Sequence, residues 1–92
     1  MRKQDLIRAV ARQTSQTESQ VTSTVNAVFD QIQQTLSEGD EVVISGFGAF
    51  RVVERSARQG RSPRTGEPMT IPARKSPAFR PGAELKRTVG GD

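Results

Sequence analysis

Through the first 36 residues, apolar side chains recur at helical spacing. Leu6, Ile7 and Val10 form one stripe over residues 5–13, with Asp5 in the first turn where a carboxylate suits the positive end of the helix dipole. The segment TSQTESQ breaks that stripe. Within it, Thr17 and Gln20 have the spacing of a capping box and announce a second helix, whose apolar positions are Val21, Val25, Val28, Phe29, Ile32 and Leu36. Gly39 is placed to cap its end. From Glu41 the signal changes: EVVIS and FRVVE are rich in β-branched residues and flank the glycine-containing GFGA, which predicts a hairpin. Near the end, Pro72, Pro77 and Pro81 surround Phe79 and imply an edge strand or bulges. AELKRTV then closes the chain as a short helix, with Glu84 early and Lys86 and Arg87 late.

The gap in this pattern is residues 55–75, where Met69 and Ile71 are the only sizeable hydrophobes. Structureless loops beyond about 12–15 residues are uncommon in compact domains. Only 17 residues follow Lys75, too few to fold alone, and Phe79 needs the core built by the first half. The stretch must therefore go out and return as a long hairpin arm. Its turn is legible, because Ser62-Pro63-Arg64-Thr65 suits a type I turn and Gly66 can take the left-handed conformation after it.

Composition narrows the function. At 92 residues and 33% hydrophobic content the chain is one domain, 1–92, that is marginal as a monomer. It has neither cysteine nor histidine, so disulfides, thiol nucleophiles, the usual general base and the usual zinc ligands are missing, and its ten carboxylates show no ligand-like cluster. No catalytic residue, metal or cofactor is expected. The start MRKQDLIRAV lacks the apolar core of a signal peptide, and no run of about 18 apolar residues occurs, so the expectation is a soluble cytoplasmic protein without membrane association.

The net charge of +4 conceals a segregation: residues 1–50 sum to −2 and residues 51–92 to +6. A polyanion partner would account for it, although a solvated basic surface would too. GFGAF lacks the Lys-Ser/Thr of a phosphate loop and the third glycine of a dinucleotide fingerprint, so its glycines read as turn formers. Phe29, Phe47, Phe50 and Phe79 are all the aromatics; each falls in an apolar pattern, which favours a core over base-stacking platforms. Arg55, Arg58 and Arg61 recur every third residue along the outgoing limb, with Arg64 at the tip, Arg74 and Lys75 on the return, and Glu67 as the opposing charge. On a twisted or bulged ribbon that spacing could track a nucleic-acid groove. Pro63 reads equally as a turn former and as an apolar wedge between base pairs.

The chain resembles, from end to end, the family of the bacterial histone-like protein HU and its relative integration host factor. The resemblance rests on DLIRAVA, VNAVFDQI, GFGAF, ERSARQGRSPRTGE and IPARKSPAFRPGAELK, in order and without insertions. It implies an α+β fold as an intertwined dimer, homodimeric or paired with a paralogue: a two-helix half, a three-stranded β saddle with two ribbon arms, and a short C-terminal helix. It implies binding of double-stranded DNA through the minor groove, with bending, compaction and a place in the nucleoid. Arg55, Arg58, Arg61, Arg64, Arg74 and Lys75 then become arm contacts, Pro63 the wedge, and Lys3, Arg80 and Lys86 contacts on the body. Phe29, Phe47, Phe50 and Phe79 become the dimer core. Ser62 stands where the family usually has asparagine, Val53 and Ala83 where it has basic residues, and Asn26 where it is commonly acidic. The alternatives are a sequence-preferring subunit of the integration-host-factor kind and a basic RNA-associated structural protein. The second is disfavoured because an RNA helix presents a wide, shallow minor groove.

Overall fold

The computed structural model describes residues 1–91. They form α1 (Lys3–Thr14), α2 (Glu18–Ser37), β1 (Val42–Ile44), β2 (Gly48–Arg55), β3 (Arg58–Arg61), β4 (Pro68–Ile71), β5 (Arg74–Pro81) and α3 (Ala83–Gly90). This is an α+β fold. The chain divides into two compact units, Met1–Thr35 and Leu36 onward.

In the first unit, local hydrogen bonds set the helix starts. The Arg2 N–H donates to Asp5 Oδ2 at 2.9 Å, which gives Asp5 a capping role at the start of α1. The capping box of α2 is reciprocal: Thr17 N–H donates to Gln20 Oε1 and Gln20 N–H to Thr17 Oγ1, each at 3.1 Å. Between the helices Ser15 takes a left-handed conformation, φ 56°, and the Gln16 N–H returns to the Ala11 carbonyl. Arg8 reaches Glu18 at 3.6 Å and Asp5 at 4.0 Å. The buried hydrophobic side chains are Ile7, Ala11 and Val21, with Val10 and Val25 packed against them. Phe29 on α2 remains 40% exposed and Val28 49%.

In the second unit, β1, β2 and β5 form an antiparallel sheet in the order β1-β2-β5, and β3 pairs with β4 as a separate ladder. The proline-bearing β5 is an edge strand, as its missing N–H groups require. Val42 and Phe50 face each other, and so do Phe50 and Phe79, which puts these three on one face of the sheet. The Phe79 ring lies 4.9 Å from Phe50 and 5.5 Å from Phe47, centroid to centroid. The β1–β2 turn closes through Phe47 N–H to the Ile44 carbonyl, with Gly46 at φ +80°, a value that a type II turn needs at its third position. Gly82 N–H donates to the Phe47 carbonyl at 2.8 Å and docks the start of α3 on this turn. GFGAF is thus a turn and a crossing point, as its lack of phosphate-loop residues predicts. Phe47 and Phe79 nonetheless stay 45% and 41% exposed, and no large apolar side chain among this unit's described residues is buried.

Candidate nucleic-acid interface

The ribbon of residues 55–74 is built by register. Arg55 faces Arg74 at the end of β2–β5, and Arg58 faces Ile71 at the start of β3–β4. Two residues on each limb, Ser56-Ala57 and Pro72-Ala73, separate the ladders, so the interruption is symmetric and shifts no register. The expectation of a twisted or bulged ribbon resolves to one with no net bulge. Beyond Arg61↔Pro68 the tip closes with Ser62 N–H donating to the Glu67 carbonyl and Gly66 N–H to the Ser62 carbonyl, both at 2.8 Å. Gly66 is left-handed at φ +73°. Pro63 therefore begins the exposed apex of a four-residue loop. Arg61 Nη1 donates to the Gly66 carbonyl at 3.1 Å and braces that loop.

Side chains three apart on a regular strand point to opposite faces. Arg55 and Arg58 nevertheless line the same concave surface, about 630 Å³, together with Arg61, Pro63, Met69, Ile71, Pro72 and Arg74. The change of lining set falls where the ladder is interrupted, and Pro72 has no N–H to continue it. The interruption is what lets Arg55 and Arg58 share one side, while Arg61, in the same unbroken β3 as Arg58, lines the concavity near the tip loop that it braces. Inside this concavity Ile71 Cδ1 lies over Gly60, 2.8 Å from where a Cβ would stand, so the floor is apolar beneath a guanidinium rim.

Two of the basic arm residues stand apart. Lys75 is opposite Glu54 in the ladder, and its Nζ lies 3.5 Å from Glu54 Oε1 on a solvent-exposed face. The expectation that Glu67 alone opposes the arm's charge is corrected here: Glu54 offsets Lys75, and Glu67 has no ion pair among the described residues. Arg64 is exposed at the tip and does not line the concavity. On the body, Arg80 faces Ala49 on β2, Lys86 lies on α3, and Lys3 begins α1 in the other unit. The sequence reading passed over Arg51, which faces Ala78 on the same sheet face as Ala49–Arg80 and Arg55–Arg74. The period-two alternation along β2 is the signal that distinguishes it from Phe50 and Val52. Of the four phenylalanines, Phe47, Phe50 and Phe79 form one group in the second unit, and Phe29 belongs to the first.

Residues 1–90 match the protein family described as "Bacterial DNA-binding protein". The chain is 52% identical over 89 residues to DNA-binding protein HU-1 of Halalkalibacterium halodurans, covering 97% of this chain and 99% of that one. It is 50% identical over 91 residues to DNA-binding protein HU 1 of Bacillus subtilis, covering 99% of each. Among solved structures, an Anabaena HU–DNA cocrystal structure superimposes with a TM-score of 0.93 at 40% identity, covering all of both chains. HU from Thermotoga maritima gives 0.70 at 28% identity, over 97% of this chain and 98% of that one. With three helices, a three-stranded sheet and a paired arm matching those of an HU chain along its whole length, this chain belongs to the HU family of bacterial DNA-binding proteins.

Proposed function

We propose that the chain is a histone-like architectural protein that binds double-stranded DNA with little sequence preference and bends it. The observation that carries this reading is the arm concavity, which gathers Arg55, Arg58, Arg61 and Arg74 around an apolar floor with Pro63 at the exposed apex. Guanidinium groups suit phosphates and a narrow minor groove, and an apolar wedge at the tip suits a kinked base step. Arg64 at the tip, Lys75 beside the arm, and Lys3, Arg80 and Lys86 on the body supply contacts to flanking phosphates. Lys75 does so at the expense of its pairing with Glu54, an exposed pair worth about 0–1 kcal/mol.

Residues 1–92 act as one HU-type domain that is completed by a second copy or a paralogue. Phe29, Phe47 and Phe79 are each at least 40% exposed in the single chain, and a partner that covers them with Phe50 supplies the missing core. The site of action is the nucleoid in the cytoplasm. No helix among the described residues is long and apolar enough to cross a membrane. A competition gel shift with intact, nicked or gapped duplex DNA and duplex RNA tests this reading. Interrupted DNA should compete best and RNA worst. Equal competition by duplex RNA would refute it, and a strong preference for one DNA sequence would place the chain with the sequence-preferring relatives.

A further inference from the structure

Arg51 lies between two concave surfaces that share one face of the β1-β2-β5 sheet. On one side the arm concavity begins at Ser76, Arg74 and Arg55. On the other, a shallower depression is lined by Val43, Ala49 and Arg80. The register places Arg51↔Ala78 in the step that separates Ala49↔Arg80 from Val53↔Ser76, so the intervening ground belongs to Arg51. Its neighbours on this face, Ala49, Val53, Ala78 and Ser76, are short, and none of them screens a guanidinium.

Arg51 is exposed, and its guanidinium makes no hydrogen bond or ion pair among the described residues. The nearest acid by register is Glu41, one position beyond Val42↔Phe50, and no ion pair within 4.0 Å joins it to Arg51. Arg80 is instead its diagonal neighbour across β2–β5, at roughly 7–8 Å. Cations set this close without an intervening acid repel one another, and a polyanion relieves that repulsion. From Arg51 to Arg55 the strand advances about 14 Å, roughly four phosphate-to-phosphate steps along the axis of one DNA strand.

We propose that Arg51 is a phosphate-contacting residue of the sheet floor, joining Arg80 to the Arg55–Arg74 pair in one continuous track from body to arm. This rests on the DNA-binding reading above, and it lengthens the footprint beyond the arm and the body contacts already named. The test is the salt dependence of binding of the full-length protein to one fixed duplex, measured for the parent, Arg51→Gln, Arg51→Lys and Arg58→Ala, each beside a thermal melt.

Loss of one phosphate contact per protomer, two per dimer, should reduce the slope of log K against log salt by about 1.8 and weaken binding roughly 25–100-fold near 0.1 M salt. Arg51→Lys should restore most of both, since a phosphate contact needs the charge. All melting points should stay near that of the parent. An unchanged slope for Arg51→Gln while Arg58→Ala lowers it overturns this proposal and leaves the arm reading standing. Unchanged slopes for both variants overturn the arm reading with it. A lowered melting point at an unchanged slope makes Arg51 a structural residue and also overturns the proposal.

Discussion

Truncating Phe79 to alanine separates a chain that owns its core from one that shares it. Phe79 is the middle ring of three, in contact with Phe47 and Phe50, and yet it is 41% exposed. A phenylalanine buries about 200 Å² when fully covered, so at about 25 cal/mol per Å² its worth is about 3 kcal/mol in the lone chain and about 5 once a partner completes the cover. The two ring pairs add about 0.5–1.5 kcal/mol each. A dimer loses both copies of the ring, which brings the total to about 12–16 kcal/mol, as large as the whole stability of a small domain. Phe79→Ala is therefore expected to be unfolded at micromolar concentration and 25 °C, whereas Phe79→Leu keeps most of the volume and should fold with a lower Tm.

The parent protein supplies the second half of that test. Folding coupled to pairing loses about 1.4 kcal/mol for each tenfold dilution, which for about 180 residues melting together lowers Tm by about 3–6 °C. The assay is a series of thermal melts from 1 to 100 μM with the mass in solution measured alongside. A Tm independent of concentration with a monomeric mass, or a Phe79→Ala variant that stays folded and loses only a few degrees, would refute the shared core.

Three further outcomes are expected. Pro63→Ala leaves the tip hydrogen bonds intact, since proline donates none of them, so duplex binding should change little while the DNA bend, read by fluorescence transfer, decreases; an unchanged bend would reduce Pro63 to a turn former. Gly48→Ala would bring a Cβ to 2.6 Å from both the Arg80 carbonyl and the Phe79 ring, and its melt should show a loss of about 1–3 kcal/mol; a Tm equal to the parent's would contradict that close approach. If roughly 6–10 phosphates are engaged, affinity should fall by about 10³–10⁵ between 50 and 200 mM salt, with unrelated duplexes of equal length within about tenfold of one another; a flat titration would count against phosphate-dominated binding.

Much of the fold was legible because it is written in local chemistry. The Thr17–Gln20 box, the positive φ of Gly46 and Gly66, and the proline exclusion that makes β5 an edge strand each depend on residues within a few positions of one another. From composition the core was legible only as a shortage of apolar residues, and it was the family resemblance that singled out Phe29, Phe47, Phe50 and Phe79, three of which stay at least 40% exposed. What the sequence did not disclose is non-local. The Glu54–Lys75 pair exists because residues 21 apart fall opposite each other, and Arg51 joins Arg80 on one face for the same reason. Register decides both, and register is not visible in either strand alone.

The arm shows how that register bears on what the protein reads. An uninterrupted ribbon would divide arginines spaced by three between its two faces, leaving each face half the charge. The symmetric gap at Ser56-Ala57 and Pro72-Ala73 preserves the pairing and brings Arg55 and Arg58 to one concave side, which Arg61 also lines near the tip. Guanidinium groups, an apolar floor and a proline tip make up most of that surface. A two-stranded ribbon can enter either groove, so it is the apolar floor and proline tip beside the guanidinium groups that suit a widened, unstacked minor groove better than the donor and acceptor pattern of the major groove. A surface of this kind responds to the width of a groove and the ease with which a step unstacks, and both are properties of DNA shape. On the proposed function, preference for nicked or gapped duplexes is expected from the same geometry as indifference to sequence, because an interrupted strand lowers the cost of the bend without changing a single base edge.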